Sequence, residues 1–292
     1  MPSEQIQWFP GHMAKTRRLI TENLKNVDIV IEILDARIPY SSQNPEIRRL
    51  CAAKPSIILL NKASLADPSV TKAFSEHYSN ELTVCIETDC ISGYGISKIA
   101  PAIRKLCGEK LARYEEKGMM GRRVRAMVLG VPNVGKSSLI NRICGNKKAK
   151  VENRPGVTRG KQWVTVDPSL LLLDTPGILW PKFEDEFVGR NLAFTGAIRD
   201  EVYDIAEVAC ELCTLLAQKA PEALCEKYKL TSVEGLMGHE ILFDIGKKRG
   251  CLISGGDVDY DRAARILLDE FRACKLGKIV LETPKDVENN DE

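Results

Sequence analysis

Eight residues, GVPNVGKS at 130 to 137, match the pattern G-x-x-x-x-G-K-S and stand between a strand-like run, RAMVLG (125 to 130), and a helix-like one, SSLINRIC. The chemistry of that pattern is phosphate binding. Gly130 and Gly135 allow the loop through Val131, Pro132, Asn133 and Val134 to turn its backbone amides toward phosphate oxygens. Ser137 and Ser138 open a helix whose N-terminus adds positive potential. Lys136 would reach the β and γ phosphates of a nucleotide, and the Ser137 hydroxyl would sit on Mg²⁺. A second motif, DTPG (174 to 177), follows Lys136 by 38 residues at the end of another apolar run, LLLLD. There Asp174 would hold Mg²⁺ through water, and the Gly177 amide would meet a γ-phosphate. Between the two lies RPGVTRG, which puts Thr158 where it could cap Mg²⁺ and close over the phosphate as a switch. Asp-Thr-Pro-Gly alone can be a turn, and a threonine can be a surface residue. In this order, after one phosphate loop, those readings lose their force.

A further segment is out of order. IILLNKAS (57 to 64) is an apolar run ending in Asn61 and Lys62, which is how a guanine-reading loop, Asn-Lys-any-Asp, usually begins. It precedes the phosphate loop by about seventy residues, and Ser64 holds the place of the aspartate. Asn61 could meet the base edge, and the alkyl stem of Lys62 could cover the ring. Ser64 offers one neutral oxygen where a carboxylate would accept from guanine N1–H and the exocyclic amine, a loss of roughly 1 to 3 kcal/mol of guanine selectivity. Asp67, in NKASLAD, could substitute only if the loop were reshaped.

The elements that must position these residues are legible as short apolar runs. DIVIEILDA (28 to 36), SIILL (56 to 60) and TVCI (83 to 86) alternate with helical segments, which predicts parallel strands with crossover helices. ISKIAPAIRKLCGEKLARYEEKG (96 to 118) reads as a helix interrupted by Pro101, and QWVTVDPSLLLLD (162 to 174) as two strands about a turn at Pro168. Residues from about 20 to 180 can then form one sheet. If NKAS is the base-reading loop, the first three strands are those that ordinarily follow DTPG, moved to the front. Such a circular permutation leaves the sheet contacts unchanged and alters only the connections. The expected fold is α/β: a circularly permuted P-loop domain with a parallel-rich sheet over 1–184, followed by a small all-helical domain over 185–280. The last residues, 281–292, read as a polar, disordered tail.

Net charge is +2, but residues 1 to 161 carry 27 Lys and Arg against 15 Asp and Glu, while the remainder carries 15 against 25. From Lys136 to Lys161 eight basic residues face one acid, Glu152. A solvated surface is one reading; a surface for phosphate-rich RNA is the other, supported by Arg122, Arg123, Arg125, Lys15, Arg17 and Arg18. Ten cysteines without signs of export point to reduced thiols in a cytoplasmic protein, and no run approaches the length of a membrane span. Cys210 and Cys213 form the single C-x-x-C pair, and helix-face cysteines are the expectation there rather than zinc ligands.

The order NKAS, P-loop, PGVT, DTPG resembles the circularly permuted GTPases. WFPGHMAK (8 to 15) and DTPGILWPKFED (174 to 185) narrow the resemblance to the ribosome biogenesis GTPase A family, the YlqF type, over nearly the whole chain. The resemblance implies a monomeric GTPase that binds GTP and GDP with Mg²⁺. It further implies a partner, a late precursor of the large (50S) ribosomal subunit, whose maturation the enzyme promotes through contacts to ribosomal RNA and proteins. Ile178 occupies the place where many GTPases carry a water-orienting glutamine, and the resemblance implies that His12 supplies that polar group. It also implies that Asn133 ligates K⁺ beside the phosphates. A second base-contacting loop is expected after the third strand, where Thr88, Asp89 and Cys90 replace the usual Ser-Ala-Lys. Two other function classes are carried beside the enzyme: a nucleotide-dependent RNA-binding switch with little hydrolysis, and an ATP-tolerant P-loop enzyme such as a small kinase.

Overall fold

The structure is a computed structural model, and it describes residues 18, 20–119, 121–145, 162–167, 169–175, 179 and 185–288. His12, Thr158, Gly177 and Ile178, named above for catalytic or switch roles, lie outside the described residues, as does Pro168. The described residues fall into two compact units. One takes the chain up to 179 together with 282–288, and the other takes 185–281.

The first unit is built on six strands: β1 (Ile29–Asp35), β2 (Ser56–Asn61), β3 (Thr83–Glu87), β4 (Val124–Leu129), β5 (Gln162–Asp167) and β6 (Leu170–Asp174). Their order is β3-β2-β1-β4-β6-β5, parallel throughout except for the antiparallel pair of β5 with β6. The pairing of β1 with β4 joins the early strands to the one that leads into GVPNVGKS, which is the arrangement a permuted chain requires. Every residue of β1 is buried, as expected of a central parallel strand covered on both faces. Its two acids, Glu32 and Asp35, are buried with the rest, and burial pushes the Glu32 carboxyl up to about 7.

Helices α1 (Pro45–Cys51), α2 (Pro68–Tyr78), α3 (Ile99–Glu116) and α4 (Lys136–Cys144) connect and cover these strands. Each of α1 and α2 opens with a proline after a capping residue, Asn44 or Asp67, whose side chain accepts amides of the first turn. Pro101 does not interrupt its helix. α3 begins at Ile99, so the proline stands in the first turn, where an amide has no helical partner to lose.

The second unit contains α5 (Glu186–Phe194), α6 (Ile205–Lys219), α7 (Pro221–Tyr228), α8 (Gly238–Lys248) and α9 (Tyr260–Arg272). All but α5 correspond to apolar periodicities in the sequence. The α6 thiol of Cys213 is fully buried, and burial holds it well above the usual thiol range. Arg272 closes the unit, donating to the carbonyls of Ala193 (2.9 Å) and Phe194 (3.1 Å) and to the Asp200 carboxylate (2.7 Å).

The stretch expected to be a disordered tail is docked over 282–288. It forms the short helix α10 (Pro284–Glu288), and the fully buried Glu282 belongs to the strand unit. Glu282 accepts from the amides of Tyr40 (2.7 Å) and Ser41 (3.0 Å), in the turn just beyond β1. A polar composition misled because one charged residue with two amide donors is enough to anchor a segment. Glu282→Ala would leave those amides without their carboxylate, so we expect a loss of about 2 to 3 kcal/mol, read as a lower midpoint in urea denaturation with an unchanged slope.

Candidate functional site

The phosphate loop leaves β4 and enters α4 as the pattern requires. Gly130 and Gly135 have φ of +152° and +110°, and a Cβ at either would strike neighbours: 2.5 Å from the Ile33 carbonyl oxygen and 2.3 Å from Asn61 Nδ2, respectively. Both positions therefore demand glycine for space as well as for conformation. Asn133 takes the left-handed conformation, with φ of 57°, which asparagine tolerates better than most residues. Val131 and Val134 are buried beneath the loop, while Pro132 is partly covered. Asn133, Ser137 and Ser138 are exposed.

The early motif meets this loop through one side chain. Asn61 ends β2 and is buried; its Nδ2 donates to the Val134 carbonyl at 2.7 Å, and its Oδ1 accepts from the Cys90 amide at 3.0 Å. The amide of Ala63 donates to the Thr88 carbonyl at 3.0 Å. NKAS, the phosphate loop and the segment after β3 are thus drawn together. Lys62, left-handed at φ of 62°, donates to the Asp35 carboxylate at 2.8 Å, and Arg37 donates to the same group at 2.9 and 3.0 Å. Burial alone would raise the Asp35 pKa, but the charges of Arg37 and Lys62 outweigh it and hold the carboxyl well below its usual range.

Ser64 is exposed in the middle of a single 3₁₀ turn, Ala63–Leu65, and its hydroxyl donates to Asp89 Oδ2. Asp67 is not available to replace the missing aspartate: it caps α2, accepting from the Ser69 amide (2.8 Å) and hydroxyl (2.5 Å). Thr88 and Asp89 are both buried at the exit of β3. Cys90 is buried as well, and burial lifts its thiol to about 11, so it is a thiol and not a thiolate near neutral pH.

At the other end of the site, Lys136 donates to the carbonyls of Gly130 (3.0 Å) and Val131 (2.7 Å). Burial draws its pKa down to about 8, an effect that Asp174 opposes. Asp174 ends β6, half-buried; burial raises its pKa, while the Lys136 charge lowers it. The next residue, Thr175, is pinned by its hydroxyl to the Val128 carbonyl at 2.5 Å, which fixes the end of β6 against β4. The exposed Ser137 hydroxyl and the Asp174 carboxylate are hard oxygen donors of the kind Mg²⁺ takes. A phosphate-bearing ligand reaching Lys136 would restore its ammonium. Calorimetry of GDP binding in buffers of different ionisation enthalpy should therefore show proton uptake near pH 8.5 that shrinks toward pH 7. Affinity should fall as pH rises above about 8, because the folded, ligand-free lysine has already lost its proton there.

Comparison with known proteins agrees with this architecture. The family described as 50S ribosome-binding GTPase matches residues 125–229. Ribosome biogenesis GTPase A of Bacillus licheniformis is 48% identical over 283 residues, covering 97% of this chain and 99% of that protein. The protein of the same name from Priestia megaterium is 47% identical over 285 residues, covering 97% and 98%. Among solved structures, GNP-bound YlqF from T. maritima superimposes with a TM-score of 0.64 at 27% identity, covering 93% of this chain and 99% of that one. A permuted strand order, a phosphate loop joined to NKAS through Asn61, and near-complete matches of this kind have one explanation: the chain belongs to the ribosome biogenesis GTPase A family of circularly permuted GTPases.

Proposed function

We infer that the chain binds GTP at the site just described, hydrolyses it, and uses the cycle to promote maturation of a late precursor of the large ribosomal subunit in the cytoplasm. The observation that carries the nucleotide reading is the Asn61 side chain, which unites a base-reading motif with a phosphate loop about seventy residues away. The loop Gly130 to Gly135, with Lys136, Ser137 and Ser138, would hold the phosphates. Asn61, Lys62, Ser64, Thr88, Asp89 and Cys90 would surround the base. Mg²⁺, required by GTPases as a class, would be held by Ser137 and Asp174 and would neutralise charge between phosphate oxygens. Thr158 and Gly177 would complete the γ-phosphate side. Asn133, at an exposed left-handed position of the loop, would add K⁺ beside the phosphates.

His12 would orient the attacking water, since Ile178 cannot hydrogen-bond one. The ribosome is the partner in the names of the related proteins, and the basic excess of residues 1 to 161 suits a phosphate-rich particle. Among the described residues, no helix is long and apolar enough to cross a membrane. We take the free protein to be a monomer.

The test is GTP turnover with and without purified large-subunit precursor, in K⁺ and in Na⁺. Turnover should rise on the particle, fall when Na⁺ replaces K⁺, and drop by about 10²- to 10⁴-fold in His12→Ala. Turnover indifferent to the particle would instead make the chain a nucleotide-dependent RNA-binding switch.

A further inference from the structure

The loss of the aspartate from NKAS would ordinarily leave guanine without the acceptor that distinguishes it from adenine. The structure supplies a carboxylate at that place from another segment. Asp89 follows β3, and its Oδ2 accepts the hydroxyl of Ser64, the residue that stands where the motif's aspartate belongs. Oδ1 accepts from the amides of Ile91 (2.9 Å) and Ser92 (2.8 Å), which fixes the direction of the carboxylate. The next amide, Cys90, is the one bound to Asn61, so the Asp89 backbone is registered to the motif by the neighbouring bond. Burial works to raise the Asp89 pKa, but Ser64 and the amides of Ser92 and Ile91 outweigh it and keep the group ionised. Asp67, the other acid in reach by sequence, is committed to capping α2.

We propose that Asp89, positioned by Ser64, is the guanine-reading carboxylate of this protein, accepting from the base's N1–H and exocyclic amine. The acceptor has moved from the motif after β2 to the segment after β3, and a serine fills the place it vacated. Ser64 is exposed, and its hydroxyl turns about a single bond, so it can yield Oδ2 to the base while leaving the Oδ1 anchorage intact. Adenine presents a lone pair at N1 where guanine presents N–H, so the same carboxylate attracts one base and repels the other. The inference rests on the guanine-nucleotide reading of the site and adds to it the residue that enforces the choice.

The deciding experiment is equilibrium binding of GDP, ADP and XDP to the full chain, unaltered and as Asp89→Asn and Ser64→Asp. Xanthine keeps N1–H but replaces the exocyclic amine with a carbonyl. An amide at 89, with one acceptor and one donor, matches xanthine and mismatches guanine. Asp89→Asn should weaken GDP by about 10- to 100-fold and strengthen XDP. Ser64→Asp, which nominally repairs the motif, should weaken GDP by about tenfold, because it sets a second carboxylate against the first. Retained GDP preference in Asp89→Asn with no gain for XDP would overturn the assignment, as would tighter GDP binding by Ser64→Asp. Equal binding of GDP and ADP by the unaltered protein would overturn the guanine reading itself, and with it any role for Asp89 in base choice. Because the two substitutions lie on different segments, failure of one variant to fold leaves the other to decide.

Discussion

The carboxamide of Asn61 is the interaction on which the site's geometry depends. It is buried, so both its polar ends must find partners, and it finds them on two different segments: the Val134 carbonyl in the phosphate loop and the Cys90 amide after β3. Three loops, contributed by strands β2, β4 and β3, are thereby placed relative to one another by a single side chain. Gly135 is the counterpart of that constraint, since a Cβ there would come within 2.3 Å of the Asn61 nitrogen. Beside it, the Asp35 carboxylate gathers Arg37 and Lys62, so the lysine of the motif is held from below by the end of β1. One partner of a buried ion pair cannot be removed cheaply, and the left-handed backbone at Lys62, unfavourable for a residue other than glycine, occurs where its side chain is bonded to Asp35.

Permutation is tolerated because none of these contacts depends on the order in which the strands are synthesised. The parallel pairs β2 with β1, β1 with β4, and β4 with β6 form one continuous sheet whichever connection is cut. What permutation changes is the destination of the chain. The strand ending at Asp174, whose charge acts on Lys136, is now followed along the chain by the helical unit instead of by another strand of the sheet. After the helical unit the chain returns to the strand unit, where Glu282 accepts from the Tyr40 amide in the turn beyond β1.

Much of this was legible before any coordinates. The phosphate loop could be read because its glycines, lysine and serine are covalent neighbours, and their roles follow from backbone geometry within eight residues. The strands could be read because each is a short β-branched run, and the helices of the second unit because their apolar faces repeat. α5 lies within the stretch expected to be helical, although EFVGRNLAF holds a central glycine. Pro101 was misjudged because the start of α3 could not be located without its packing. The docking of residues 282–288 was not legible because composition cannot register one glutamate placed against two amides 242 and 241 residues earlier. His12, Thr158 and Gly177 remain sequence readings, outside the described residues.

By itself, the sequence determined the P-loop, the permuted order of its motifs, the parallel-rich sheet and the helical unit, and hence the family. These rest on local chemistry and on periodicity, which are properties of residues close together along the chain. Only the tertiary structure decided how Asn61 closes onto Val134, which acid stands beside Ser64, and that Glu282 is part of the strand unit. Each of those depends on the relative placement of groups between 25 and 242 residues apart, and a hydrogen bond is sensitive to tenths of an ångström that no pattern of residue types encodes.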